Sequence, residues 1–340
     1  SLYYKDSTQT LSDYFDQSSI ERITTVTYNG ATEIPAGFCE GCKSLTMFTV
    51  NGNVSKIGKN AFKDNTMMTN FTIPGSVKTI GESAFYNTKL IDINIPSGVT
   101  SIGDNAFKNN TYMTNITIPS TVTTIGNGAF FNTRLVDVNI PSSVTSIGKN
   151  AFGSISTIRT VSLYYKGSTQ TLSKYFDETS LENIVSVTLR SASDLSASYF
   201  NDLKNIEYIR IEGTIDAIDS YTFSNLLKLK NVQLPYSIAR IESYAFSGSI
   251  NLESLYIPSN IEYIGEGAFS NTTVTLENLD NQENMHLWDN EWDNRSIMYE
   301  EDSETKYALI IAAVAGFGMI LIYVLHTVKV KNRKNRKITY

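Results

Sequence analysis

Cys39 and Cys42 form a lone C-x-x-C, a spacing shared by metal sites and dithiol redox centres. Structural zinc needs two further Cys or His nearby, and the chain's two histidines, His286 and His326, lie far downstream. Thioredoxin-like chemistry would want a different fold around the pair. What remains is two small buried residues at a turn, with a strained local disulfide as the alternative outside the cell. The same shortage of histidine leaves no Ser-His-Asp or Cys-His arrangement over the first 285 residues. No glycine-rich phosphate loop or calcium-loop pattern stands out. The expectation is therefore a protein that is not an enzyme, with no catalytic, cofactor-binding or metal-binding residues and no cofactor. Chemistry of modification is available instead: N-x-S/T sequons fall at Asn53, Asn70, Asn109, Asn115, Asn271 and Asn294.

Those residues are positioned by a repeat. Phenylalanine returns about every 23 residues, at Phe15, Phe38, Phe62, Phe85, Phe107, Phe130, Phe152, Phe176, Phe200, Phe223, Phe246 and Phe269. A fixed period in that range marks a solenoid, so twelve turns are expected. In one copy the unit reads Leu90, Ile93, Ile95, Pro96, Val99, Ile102, Gly103, Ala106, Phe107. Alternation at the first three apolar sites predicts a short strand. Pro96 and its equivalents Pro74, Pro119, Pro141, Pro235 and Pro258 should end it, because proline has no N–H to give a continuing ladder. Gly103 and its counterparts Gly58, Gly81, Gly126, Gly148 and Gly265 suit a tight turn with unusual backbone angles. The Ala-Phe pair then points inward from a short helical or irregular turn.

One turn cannot stand alone. Its buried side chains gain about 1.5–3 kcal/mol each, whereas ordering the backbone costs about 1–2 kcal/mol per residue. Stacking on neighbours reverses the balance. Longer echoes show growth by whole turns: residues 1–27 recur at 162–188, and 57–74 at 102–119.

The pattern Leu-x-x-Ile-x-Ile-Pro-x-x-Val-x-x-Ile-Gly-x-x-Ala-Phe resembles the BspA-like, Treponema-type leucine-rich repeats of microbial and parasitic-protist surface proteins. The match spans 1–276. The fold it implies is a curved solenoid of the leucine-rich-repeat type, with short parallel strands, that binds host, matrix or cell-surface partners without catalysis. Departures occur where the glycine becomes Asp219 and Glu242, and where the turns around Phe176 and Phe200 lack Pro and Ala-Phe. A bulge or bend is expected there.

Polar residues between the apolar strand positions should line up into outward columns. One runs Thr27, Thr49, Thr72, Asn94, Thr117, Asn139, Ser162, Thr188, Arg210, Gln233, Tyr256, and its neighbour includes Asn70, Asn115, Tyr208, Asn231 and Ser254. Tyr and Arg are enriched at binding hot spots, and glycans on Asn70 and Asn115 would shield the early strands. The candidate ligand face is therefore Tyr208, Arg210, Asn231, Gln233, Ser254 and Tyr256.

Beyond the repeats, residues 277–306 are acidic and read as an extended stalk. Trp288 and Trp292 within it read as a cover for the last turn or a contact near the membrane interface. Tyr307–Val328 is 22 uncharged residues, enough for a transmembrane helix. The tail 329–340 carries six bases and no acid, which predicts a cytoplasmic end and repeats outside. Contact of that tail with anionic lipid is the lesser alternative to a stop-transfer role. Without the tail the chain holds 22 bases against 34 acids, which argues against nucleic acid as a partner. Ser1 opens inside a repeat with no apolar leader, so the chain is expected to be a fragment missing its export signal. The reading is a single-pass cell-surface adhesin or antigen, membrane-embedded, contacting a protein or glycan on a host cell, matrix or neighbouring cell. A signalling or uptake receptor is the alternative, and a variable antigen without a dedicated ligand the third.

Overall fold

The computed structural model describes residues 2–3, 9–29, 32–165, 167, 171–195, 197 and 199–278. The stalk beyond Asn278, the 307–328 span, the basic tail and Asn294 lie outside these residues. Among the described residues no helix is long and apolar enough to cross a membrane.

Parallel strands stack in chain order into a solenoid of about 11 turns. Its main ladder joins Leu2–Tyr3, Thr25–Asn29 and Met47–Asn51, then resumes through Asp137–Ile140, Thr160–Tyr164, Ser186–Ala192, Tyr208–Gly213, Asn231–Gln233, Ser254–Tyr256 and Thr275–Glu277. The last strand thus reaches Glu277, one residue past the limit set by the repeat pattern. Strand length follows proline. Internal turns without it hold five to seven residues, as in Thr160–Tyr164 and Ser186–Ala192, whereas strands running into Pro235 and Pro258 hold three; the last strand, Thr275–Glu277, is also three residues long. In the turns ending at Pro74, Pro96 and Pro119 the expected strands reduce to a single bridge, Asn94 to Thr117. A missing donor on successive rungs removes the bonds that would extend each ladder.

A second, narrower ladder is made of two-residue strands ending at the Ile before the glycine position. It runs from Glu33–Ile34 to Ser146–Ile147, stops, and returns as Ala217–Ile218, Arg240–Ile241 and Tyr263–Ile264. The gap falls on the turns around Phe176 and Phe200, and the main ladder shifts register there between Leu189 and Ala192. The irregularity expected at those turns is present.

The core is the phenylalanine column. From Phe62 to Phe152 the rings stack 5.2–5.4 Å apart, within 14° of parallel. The inner alanines, such as Ala106 and Ala129, are buried beside them. Three residues after Phe85, Phe107 and Phe130 comes a buried polar residue, Thr88, Asn110 or Thr133, that bonds the turn's carbonyls. Asn110 donates to Phe85 O at 2.8 Å and Phe107 O at 2.9 Å, and Thr133 to Phe130 O at 2.9 Å. Each of these bonds removes an orphaned acceptor from the interior.

Two expectations about the column are corrected. Phe15 is 41% exposed and is not part of it. Leu11 and Ile20 fill the interior of that turn, with Gln17–Ile20 forming a short helix capped by Asp16. In the related segment Phe176 is buried, because Phe152 lies 5.5 Å from it; among the described residues no ring stacks on Phe15. Phe38 is buried but shifted by one position. Cys39 N–H donates to Ala61 O at 2.8 Å, the bond that Phe62 N–H makes to Ala84 O one turn later, so Cys39 holds the phenylalanine place. The rings relay instead through Phe48, 5.9 Å from Phe38 and 4.7 Å from Phe62.

The glycine expectation is also corrected. Gly58, Gly81, Gly103, Gly126, Gly148 and Gly265 do not have positive φ. They permit close approach: a Cβ on Gly103 would lie 2.6 Å from Glu82 N and 2.7 Å from Gly81 C of the preceding turn. The left-handed backbone sits two residues either side of the ring, most often on asparagine, as at Asn105 (φ 53) and Asn109 (φ 64) around Phe107. Asn tolerates that region through its short polar side chain.

Candidate functional site

The strand register places the candidate residues side by side. Tyr208 pairs with Asn231 and Asn231 with Ser254, while Arg210 pairs with Gln233. The alternation that buries Ile209, Val232 and Leu255 turns these residues outward. Tyr208 is 47% and Tyr256 48% exposed. Upstream, Thr188 pairs with Ser162 and Arg210, and Ser162 with Asn139, so that column is continuous in the described strands.

Charged neighbours hold this face in place. Glu212 accepts from Arg210 Nε at 2.7 Å and lies 3.7 Å from Arg190 Nε. Arg190 also donates to Asn139 Oδ1 at 2.9 Å, which ties rungs of three different turns together. Lys230 bonds Glu207 at 2.7 Å and stands 5.9 Å over the Tyr208 ring. The Glu207 carboxylate, through its hydrogen bond and its charge, raises the Lys230 ammonium above the ordinary lysine range. Beside the strands a shallow groove is lined by Glu207, Lys228, Lys230, Asn251, Glu253 and Thr273.

Sequence reasoning missed several contributors. Tyr236, 81% exposed, stands 6.5 Å from Tyr256 with the rings at 80°. It follows Pro235, just past the strand positions that defined the columns. Glu277 pairs with Tyr256 and extends its column by one rung. Glu207 and Lys230 flank the strand starts and are recognisable only once their rungs are adjacent.

Sequons divide by environment. Asn53, Asn70, Asn115 and Asn271 are exposed. Asn109 is half-buried and engaged at both ends, donating to the Tyr86 hydroxyl at 3.1 Å and accepting from Asn132 Nδ2 at 3.0 Å. The cysteines are buried, as expected, and joined by a disulfide rather than standing as two thiols. Their Cα atoms lie 5.5 Å apart within one turn, inside the usual disulfide range of about 4.4–6.8 Å. Among the described residues no three His, Cys, Asp or Glu gather to hold a metal.

A family model described as the BspA type leucine-rich repeat region matches residues 32–159 and 169–292, in six copies. The chain belongs to the BspA-type leucine-rich repeat family. No curated protein matches it. Among solved structures, a leucine-rich repeat protein from Bacteroides ovatus is similar at 20% identity and a TM-score of 0.45, over 75% of this chain and 73% of that one. The pneumococcal vaccine antigen PcpA is similar at 20% identity and a TM-score of 0.36, over 77% and 68%. A leucine-rich cell surface protein from Faecalibacterium prausnitzii is similar at 23% identity and a TM-score of 0.33, over 75% and 83%. In this BspA-type protein the matched region includes every candidate strand residue and continues into the acidic segment.

Proposed function

We propose that this BspA-type repeat protein is a non-catalytic cell-surface adhesin or antigen whose later strands contact a protein or glycan on a host cell, matrix or neighbouring cell. The observation that carries the reading is the register of Tyr208, Asn231 and Ser254 beside Arg210, Gln233 and Tyr256, which gathers aromatic, cationic and amide groups on one exposed sheet face. Such a face supplies aromatic anchors ringed by adaptable polar contacts. The Cys39–Cys42 disulfide supports an oxidising compartment. The uncharged stretch 307–328 and the basic residues after it support a single-pass anchor with the repeats outside. Glycans on exposed Asn70 and Asn115 would leave the later strands as the open part of the face.

The test is attachment of cells displaying the full chain to immobilised extracellular-matrix proteins and to host-cell monolayers. Replacing Tyr208, Arg210 and Tyr256 together by Ala should reduce attachment tenfold or more, since hot-spot truncations cost about 2 kcal/mol or more each. Undiminished attachment would overturn the reading. Deleting residues 329–340 separates adhesin from receptor: attachment and any cellular response both persist in the first case, whereas only attachment persists in the second.

A further inference from the structure

Charge is unevenly distributed along the stack. Residues 83–176 carry seven bases against Asp92, Asp104 and Asp137, a surplus of four in a chain whose net charge is −6. Most lysines elsewhere on the described turns have carboxylate partners: Lys43, Lys56, Lys59, Lys63, Lys204 and Lys230 all form ion pairs. Among the described residues Lys108 and Lys149 have none, and both border one groove of 290 Å³ near the buried phenylalanine column.

That groove has a specific construction. Asn105, Gly128 and Asn150 occupy the same left-handed position on three successive turns, with φ of 53, 58 and 51. Glycine in the middle leaves a gap one side chain wide between two amides. The Asn105 carbonyl oxygen reaches into it, 2.8 Å from where a Cβ on Gly128 would stand. No protein group bonds the Asn105 or Asn150 side chains among the described residues, so both amides can donate and accept. Phe131 forms one wall. Its ring lies against Gly153, where a Cβ would be 2.9 Å from it, and Lys108 Nζ stands 4.8 Å over its centre. A ring braces that ammonium without neutralising it, unlike a carboxylate. Asp104, one turn before Asn127 of the groove lining, is already engaged by the Asn127 backbone N–H at 2.7 Å and its amide at 3.1 Å.

We infer that this groove binds a carboxylated sugar unit of an anionic glycan. Two unneutralised ammonium groups flank the notch and suit a carboxylate. The two free amides match hydroxyls, which likewise donate and accept. An acidic peptide offers the charge without the hydroxyls. The groove contains no arginine fork of the kind that clamps phosphate or sulfate in two places. The inference is independent of the strand-face reading and concerns different residues.

The test uses the full chain in detergent micelles with four probes: a hyaluronan oligosaccharide, sialyllactose, neutral dextran and polyglutamate. At least one of the two carboxylated glycans should bind, more weakly as salt rises, with dextran silent and polyglutamate at least tenfold weaker. Gly128→Asn fills the notch with the residue that the same column carries at 105 and 150, so the fold should persist. It and Lys149→Ala should each weaken binding about tenfold, with unchanged unfolding midpoints, while Tyr208→Ala leaves it intact. Preference for hyaluronan assigns the source to matrix polysaccharide, and preference for sialyllactose to cell-surface glycan ends; either upholds the inference. Absence of binding by both, polyglutamate binding as tightly as the glycan, or Gly128→Asn and Lys149→Ala binding like the parent would each overturn it.

Discussion

Turns 83–176 and turns 177–278 share one interior and present unlike exteriors. Both bury a phenylalanine per turn and an isoleucine before the glycine position. In the first group the rings from Phe85 to Phe152 stack within 7° of parallel, prolines cut the strands short, and the surface is basic and asparagine-rich. In the second, the strands are longer at first and the rings tilt by 16–27°. There 14 acids face six bases, around exposed Tyr208, Tyr236 and Tyr256. The lesson is that the repeat constrains only the inward positions. Columns facing water diverge without disturbing the stack, so one scaffold carries two different recognition surfaces.

The sharpest way to break this comparison is through the ring column. Phe130 has stacked partners on both sides, at 5.4 and 5.2 Å, whereas among the described residues Phe176 stacks on Phe152 alone. Phe130→Ala should cost about 3–5 kcal/mol, and Phe176→Ala about 0.5–1.5 kcal/mol less, the worth of one aromatic pair. Denaturant unfolding of the full chain measures both; equal losses would mean that a second stacked ring adds nothing in the regular turns, and that ring parallelism does not set the first group apart.

Next in size is the close-approach column. Gly103→Ala puts a methyl against the Glu82 and Gly81 backbone and should destabilise by about 1–3 kcal/mol. Glu242→Gly, at the equivalent later turn, loses the 2.8 Å pair with Arg240 together with the repulsion of Asp219, and should change stability by less than about 1 kcal/mol.

A cap at the junction comes third. Asp177 accepts from the N–H groups of Ser154 and Ser180 at 2.8 and 3.1 Å, bridging the two regions. Partial burial pushes its carboxyl up, but these bonds outweigh it and hold the pKa below 3.8. The folded pKa lies below the unfolded one, so the stabilisation is present above 3.8 and lost as pH falls through the folded value. Asp177→Ala should cost about 1–2 kcal/mol at neutral pH, and progressively less in acid.

The smallest effect has the opposite sign. Burial, reinforced by the charges of Glu242, Asp194 and Asp216, raises the Asp219 carboxyl above 3.8. Its folded pKa exceeds the unfolded one, so ionisation weakens the fold, and the penalty disappears as pH falls below both values. Asp219→Asn should therefore raise the thermal midpoint slightly at neutral pH, with the gain vanishing near pH 3. A gain that persisted there would mean something other than charge is responsible.

Much of the interior was legible in the sequence. Alternation and the Phe period located the inner rings, and the strands outside the turns ending at Pro74, Pro96 and Pro119, where only a bridge forms, because burial repeats at every turn. Three features were not legible, each for a physical reason. Phe15 carries the repeat's residue but has no stacked ring among the described residues, and stacking rather than identity buries a phenylalanine. The Ile-Gly glycines serve the spacing between turns, a contact with residues about 23 positions away that local turn chemistry cannot show. Asn105, Gly128 and Asn150 belong to three successive turns, so the notch between them exists only after stacking. The strand face was legible because it follows directly from alternation, while Tyr236 and Glu207 lay just outside the alternating positions.

The most direct test of one scaffold with two surfaces is a parallel binding measurement on the full chain, its Tyr208/Arg210/Tyr256→Ala form and its Gly128→Asn form, each against matrix-protein surfaces and carboxylated glycan. The account predicts that the triple substitution abolishes only the first binding and Gly128→Asn only the second, with unfolding midpoints alike. Loss of both activities in either variant, without a change in stability, would contradict it.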